Sequence, residues 1–389
     1  MAREFDVVVY GATGYTGRLV AEYLSQQYGN GGDVTWAMAG RSADKLAAVR
    51  DEIGAPADTP LITADASDPA SLTAMVERTG SVATTVGPYQ LYGAELVAAC
   101  AAAGTDYVDL CGETPFMRKM IDAHEDTAKE SGARIVFSCG FDSIPFDLGV
   151  YFLQDKAIEK LGGAVPRVKG RVRKMQGTFS GGTAASMRAT MAAASDPEVL
   201  QILINPFALT PGFQGPEQPA GDKPEYDEGL GSWAAPFVMA AINTRNIHRS
   251  NFLLGHPYGE DFKYDEMMLT GPGDDGEAAA KFVAENPGLG GDNDPQPGEG
   301  PSKEEREAGF YDILFVGEAA DGRVIKVGVT GDKDPGYGST SKMIAESAIC
   351  LVKDTADTPG GIYSPAPAMG GALIKRLVAN AGLTFEVEE

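Results

Sequence analysis

The chain has 389 residues, 43% of them hydrophobic, and a formal net charge of −23 from 55 acidic and 32 basic side chains. That length exceeds one ordinary core and predicts about two domains. The acidic surface argues against nucleic acid and anionic membranes as partners, and no apolar run is long enough to span a bilayer.

The opening "MAREFDVVVY" has no apolar signal core and no small-residue cleavage site, so a cytoplasmic protein is expected. Cys100, Cys111, Cys139 and Cys350 form no C-x-x-C pair and sit beside small or aliphatic residues, which predicts buried free thiols. His124, His248 and His256 lack ligand spacing, so no metal site is expected.

From residue 5 to about 140, short apolar runs alternate with helical patterns. Strands are predicted at 5–10, 34–39, 61–64, 82–86, 107–110 and 134–139. Helices are predicted between them at 17–28, 42–53, 69–78, 92–103 and 115–131. The alternation argues for an α/β fold, a Rossmann-type doubly wound parallel sheet over residues 1–145. In such a sheet the ligand lies at the carboxyl ends of the strands.

The first strand runs into a glycine loop in "VVVYGATGYTGRLVAEYL" (7–24), and a helical pattern follows at once. The first glycine permits the tight turn. The second lets backbone approach a pyrophosphate, and the third lets helix pack on strand. The helix N-terminus adds free N–H groups and partial positive charge. Gly11, Thr13, Gly14, Tyr15, Thr16 and Gly17 are therefore the expected dinucleotide cradle.

The second strand says which dinucleotide. An NAD site usually ends it with an acid for the ribose 2′-hydroxyl. Here the tip carries Arg41 and Ser42, with Lys45 one turn later. Arg41 can grip a 2′-phosphate with two parallel hydrogen bonds, and Ser42 adds a hydroxyl and caps the helix. NADP(H) is predicted over NAD(H). At the end of the third strand, Asp65 is placed to hold an adenine amino group.

"TTVGPYQLYG" (84–93) ends the fourth strand, beside the expected nicotinamide. Gly87 and Pro88 make a rigid turn there. Tyr89 and Tyr92 follow, either as packed rings or as donors to a developing oxyanion. "DLCGETPF" (109–116) ends the fifth strand with Cys111 and Glu113, and "SCGFDSIPFDLG" (138–149) ends the sixth with Phe141, Asp142 and Ser143. Tyr89, Tyr92 and Ser143 are the candidate catalytic groups. Asp142 reads either as a catalytic acid or as the N-cap of the helix that leaves for the second domain.

Residues 146–345 read as an α+β substrate and dimerisation domain. They open with a helix at about 146–160, an alternating strand "RVKGRVRKM" (167–175) and a helix at 183–194. Asp196 is the expected N-cap of a helix that starts at Pro197. Residues 210–232 and 271–303, rich in Pro, Gly and acid, read as surface loops, the second as a lid, an insertion or a disordered stretch. A hairpin is expected around Asp321-Gly322. "TSKMIAESAICLVKD" (340–354) is an amphipathic helix, and residues 346–389 are expected to return to the first domain as helices. The bases Arg167, Lys169, Arg171, Arg173 and Lys174 stand out in an acidic chain. They read as a docking patch for an acidic acyl carrier domain at 167–174, or as a solvated sheet face.

"YGATGYTGRLVAEYL", "AGRS", "TTVGPYQLYG", "YVDLCGE", "SCGFDSIPFDLGVYFL" and "GIYSPAPAMGGALIKRL" together resemble the saccharopine-dehydrogenase-like oxidoreductases. Within that family the chain most resembles the trans-acting enoyl reductases of lipid and polyketide synthesis. The resemblance covers nearly the whole chain. It implies a Rossmann domain, an inserted substrate domain and NADPH. It also implies reduction of an α,β-unsaturated acyl chain held on a partner carrier domain. The glycine loop, Arg41 and Gly87 to Tyr89 match the family's cofactor positions. The polar 271–303 stretch departs from it, because an apolar stretch is expected there; this speaks against membrane association.

Two other readings stay open. An amino-acid or imine dehydrogenase would need a cluster of arginines in the cleft, and Arg188, Arg245 and Arg249 are available. The apolar and aromatic content of "GSWAAPFVMAAINTRNIHRSNFLL" favours a greasier ligand or an ordinary core segment. A non-catalytic NADP-binding protein is the third reading, since no obligatory catalytic triad is visible.

Overall fold

The computed structural model describes residues 3–29, 32–141, 143–178, 180–286 and 298–388. The first part alternates β1 (Phe5–Tyr10), α1 (Tyr15–Tyr28), β2 (Trp36–Gly40), α2 (Ala43–Glu52), β3 (Leu61–Thr63), α3 (Pro69–Val76) and β4 (Thr79–Thr84). It continues through α4 (Tyr89–Tyr92), α5 (Ala94–Ala103), β5 (Asp106–Val108), α6 (Thr114–Ser131) and β6 (Arg134–Val136). Helix α7 (Ile144–Leu161) then crosses to the second part.

That part holds β7 (Arg167–Gln176), α8 (Gly181–Ala193), α9 (Pro197–Ile204), β8 (Glu225–Asp227), β9 (Ser232–Pro236), α10 (Ala240–Leu253) and β10 (Lys263–Gly271). There follow α11 (Gly273–Glu285), α12 (Lys303–Ala308), β11 (Phe310–Glu318), β12 (Val324–Gly331), α13 (Thr340–Lys353), β13 (Gly361–Tyr363), α14 (Pro365–Arg376) and β14 (Leu383–Glu388).

The strands form two seven-stranded sheets. The first, in the order β13-β6-β5-β4-β1-β2-β3, is parallel throughout. Helices cover both of its faces, which is why "FDVVVY" can be almost continuously apolar. The second runs β14-β12-β11-β7-β10-β9-β8, antiparallel except for β7 beside β10. Residues 346–389 divide between the two: β13 extends the first sheet and β14 the second. Helix α13 is buried along most of its length. At its centre Glu346, fully buried, accepts hydrogen bonds from Tyr23, Tyr28, Arg376 and Asn380 and so ties α1, α13 and α14 together.

Local signals explain several helix starts. Ser42 Oγ accepts from Lys45 N at 3.3 Å, and Asp68 and Asp196 cap helices whose first residue is proline. The four cysteines are buried, and none is in a disulfide.

Three expectations need correction. The stretch 210–232 contains the short strand β8, paired antiparallel with β9. The stretch 271–303 is not loop throughout. Its first half is helix α11, where Asp274 and Asp275 in the first turn complement the helix dipole; residues 287–297 lie outside those described.

The third correction concerns the basic strand, which is no free cationic patch. Arg167 pairs with Asp265; Lys169 pairs with Glu318 and Asp227; Arg171 pairs with Asp265; Arg173 pairs with Asp312 and Glu388. Lys174 alone of the five is exposed and has no ion pair among the described residues. The partners come from β8, β10, β11 and β14, so the positive charge is neutralised inside the sheet.

Candidate active site

In the first sheet β2 and β3 lie to one side of β1, and β4, β5 and β6 to the other. The direction of strand addition reverses between β1 and β4. A crevice opens at such a point, and ligands bind there.

The glycine loop lies across it. Gly11 has φ +92°, and a Cβ on it would meet Val86 Cγ2 at 2.7 Å. A Cβ on Gly17 would stand 2.2 Å from the Gly11 carbonyl oxygen, so helix and turn touch backbone to backbone. Gly14 begins α1 with no side-chain cap, and no acid lies in the first turn. The first-turn N–H groups are left for an anionic ligand. This arrangement fits the pyrophosphate of a dinucleotide.

Thr13 is exposed on the loop and Thr16 is half-buried in the first turn. The Tyr15 side chain has a different employment from the one expected. Its hydroxyl donates to the Pro301 carbonyl and accepts from Arg306 Nη1 at 2.9 Å. Its ring meets Tyr337 edge-on at 5.2 Å. Only the backbone N–H of Tyr15 remains for phosphate. Its side chain joins the cofactor loop to the second domain.

On the β2 side, Arg41 and Lys45 are exposed at the strand tip, with Ser42 between them as helix cap. Asp65 Oδ1 accepts from Ser67 N at 2.9 Å and Ser67 Oγ at 2.8 Å. These bonds, with Arg41 nearby, hold its carboxyl below the usual range. Burial pushes the Tyr10 phenol at the end of β1 up to about 12; Asp65 adds to the rise and Arg41 opposes it. Arg41 and Asp65 thus stand together beside the end of β1.

On the β4 side, the Gly87–Pro88 peptide is cis and leads into α4. Tyr89 is buried. Its hydroxyl donates to the Thr84 carbonyl and accepts from Leu110 N, both at 3.1 Å. Its single proton is committed to the backbone, so Tyr89 is not the oxyanion donor. Tyr92, three residues on, is 49% exposed. Ser143 is corrected too. It is fully buried, donates to Asn243 Oδ1 at 3.0 Å and accepts from Asn246 Nδ2 at 2.7 Å. It fastens the start of α7 to α10. Asp142 lies outside the described residues.

A buried polar chain continues from that joint. Asn243 Nδ2 donates to Glu266 Oε2 at 2.9 Å, and the Tyr264 hydroxyl donates to Glu266 Oε1 at 2.7 Å. Burial pushes the Glu266 carboxyl up to about 8.

The sequence places Glu113 at the end of the fifth strand without indicating its role, and other participants escaped the sequence reading. Both oxygens of Glu113 accept backbone hydrogen bonds from α4. Helix α8 lies against the Gly87 turn, where a Cβ on Gly87 would stand 3.7 Å from Ser186 Oγ. Tyr337 accepts from Ser180 N and shares a 2.9 Å hydrogen bond with Thr183. Asp334, also buried, shapes the turn before it by accepting from Tyr337 N and Gly338 N. "DPGYG" signals a turn, but nothing in it says the turn faces residue 15.

The arginines of the amino-acid reading do not form a cup. Arg245 donates to the carbonyls of Leu203, Asn205 and Ala241, and Arg249 to those of Leu209 and Ile362. Burial lowers both guanidinium groups to about 10. Arg188 is exposed on α8.

Comparison with known proteins agrees with this architecture. Residues 7–136 match the saccharopine dehydrogenase NADP-binding domain. A Mycobacterium tuberculosis relative, provisionally named a trans-acting enoyl reductase, is 43% identical over 99% of this chain and 97% of its own length. The trans-acting enoyl reductase of Mycobacterium bovis is 40% identical over 96% of each chain. Saccharopine dehydrogenase of Saccharomyces cerevisiae shares the fold with a TM-score of 0.54 at 12% identity, covering 98% of this chain and 99% of the other. Homospermidine synthase of Legionella pneumophila does so with 0.56 at 10% identity, covering 100% and 91%. The chain belongs to the saccharopine-dehydrogenase-like oxidoreductases with an NADP-binding Rossmann domain, and within them stands with the trans-acting enoyl reductases.

Proposed function

We propose that this protein reduces the α,β double bond of an enoyl thioester with NADPH, the acyl chain being presented on a carrier protein. The observation that carries the reading is the binding of Arg245 and Arg249 to backbone carbonyls. A substrate with several carboxylates would need such groups free, whereas a neutral acyl chain does not. The names of the relatives support the same choice.

Bound NADPH would supply the hydride to the β-carbon, and solvent water would supply the proton that the α-carbon takes up. The chain's part is to hold the cofactor through the glycine loop and Arg41, and to stabilise the charge that builds on the thioester oxygen. Tyr92 is the half-exposed phenol of the 84–93 loop and is the donor we assign to that oxygen. NADPH deuterated at either face of C4 should pass its label to the β-carbon of an enoyl thioester from one face only. Transfer to an imine substrate, and none to the thioester, would overturn the reading in favour of an amine-forming dehydrogenase.

A further inference from the structure

We propose that Glu113 is a positioning residue for the nicotinamide half of the cofactor. The inference rests on the NADP(H) site described above. Arg41 at the β2 tip would hold the 2′-phosphate of NADP(H) to one side of β1. The nicotinamide half would then lie on the β4 side of β1, with residues 85–92 as its floor.

That floor is held from below by one carboxyl group. Glu113 Oε1 accepts from Tyr89 N at 2.9 Å and Oε2 from Gln90 N at 2.8 Å, with the side chain almost fully buried. Glu113 is itself anchored to the sheet. Its N–H donates to Cys111 Sγ at 3.3 Å, and the Cys111 carbonyl accepts from Ser138 Oγ at 2.6 Å. Asp109 Oδ1 accepts from both Cys111 N and Ser138 N at 2.9 Å. A continuous set of hydrogen bonds therefore runs from the ends of β5 and β6 to the loop after β4. Tyr89 adds a second tie through its hydroxyl. Glu113 is the only side chain in this set whose two oxygens grip consecutive amides of the loop. Replacing one oxygen by an amide NH₂ would set a donor against a donor at a buried site.

The test compares two ligands on the whole protein: NADPH, and 2′-phospho-ADP-ribose, which has the same phosphates but no nicotinamide. In Glu113→Gln, NADPH should bind about tenfold more weakly while 2′-phospho-ADP-ribose binds as in the wild type. Amide hydrogen exchange at Tyr89 and Gln90 should quicken in the ligand-free protein. Glu113→Asp keeps both oxygens one carbon short and should fall between. Equal weakening toward both ligands, or none toward either, overturns the positioning role and leaves the NADP(H) site standing. Wild-type protein that binds neither ligand overturns that site and the proposal with it.

Discussion

Arg171 and Asp265 form an ion pair sealed inside the second sheet, Nη1 to Oδ2 at 2.7 Å, with side chains 1% and 4% exposed. Asp227 approaches the same guanidinium, Nε to Oδ2 at 3.5 Å, and Glu225 flanks it. Asp265 also pairs with Arg167, so its loss strips two guanidinium groups of their nearest carboxylate and leaves buried Arg171 only the longer contacts to Asp227 and Glu225. Asp265→Asn should therefore lower unfolding stability by about 3–5 kcal/mol in urea titrations. Arg171→Glu should fail by misfolding rather than by selective loss of carrier binding. A stable Arg171→Glu protein with weakened carrier affinity would restore the docking interpretation of this strand.

Arg41 should decide between the two nicotinamide cofactors. A charge-assisted hydrogen bond contributes about 1.5–3 kcal/mol. Arg41→Ala should raise the Kd for NADPH by about ten- to a hundredfold and leave that for NADH nearly unchanged. Fluorescence titration with both cofactors reads the ratio. An equal effect on both would place the 2′-phosphate elsewhere.

The two tyrosines of the 84–93 loop should separate cleanly. Tyr89→Phe leaves the Thr84 carbonyl and the Leu110 amide without their partner, so it should cost about 1–3 kcal/mol of stability. Tyr92→Phe should leave thermal stability alone and lower kcat on an enoyl thioester by about 10²–10³. Unchanged turnover in Tyr92→Phe would remove it as the oxyanion donor.

Glu266 predicts a pH dependence of stability. Burial raises its carboxyl from 4.5 to about 8. Between those values the folded protein keeps a proton that the unfolded chain releases, so stability falls as pH rises through the window. Glu266→Gln has no such proton to lose. Between about pH 4 and about pH 8 the wild type should therefore lose on the order of 2–4 kcal/mol more stability than the variant, on top of a constant offset from setting the Gln amide against the Asn243 and Tyr264 donors. Asp109 and Asp147, both raised by burial to about 7, give a slope common to the two proteins. Urea titrations across that range measure the difference.

The first sheet and its glycine cradle were legible because their signals are local. Each strand, turn and helix start of residues 5–136 lies within a few residues of its cause, as with Ser42 over Lys45. The second sheet was harder. Arg173 meets Glu388 across 215 positions and Arg167 meets Asp265 across 98, so the same bases could be read as a free patch. Helix α11 was hidden by its Gly-Asp start and by the Pro-, Gly- and acid-rich sequence that follows it, although its centre reads "AAAKFVAE". Tyr89 illustrates the limit at the site itself. Its proximity to the cofactor loop follows from its place after β4. The use of its hydroxyl depends on Leu110, which comes from another strand end.

The divided tail, with β13 on one sheet and β14 on the other, has a consequence for biosynthesis. Each of these strands is the outermost member of its sheet. On the ribosome, β6 and β12 therefore present unpaired backbone until residues 361–388 have emerged. Exposed strand edges of that kind invite pairing with other chains. A messenger cut short before residue 361 would yield two raw borders on one polypeptide, a substrate for aggregation or proteolysis.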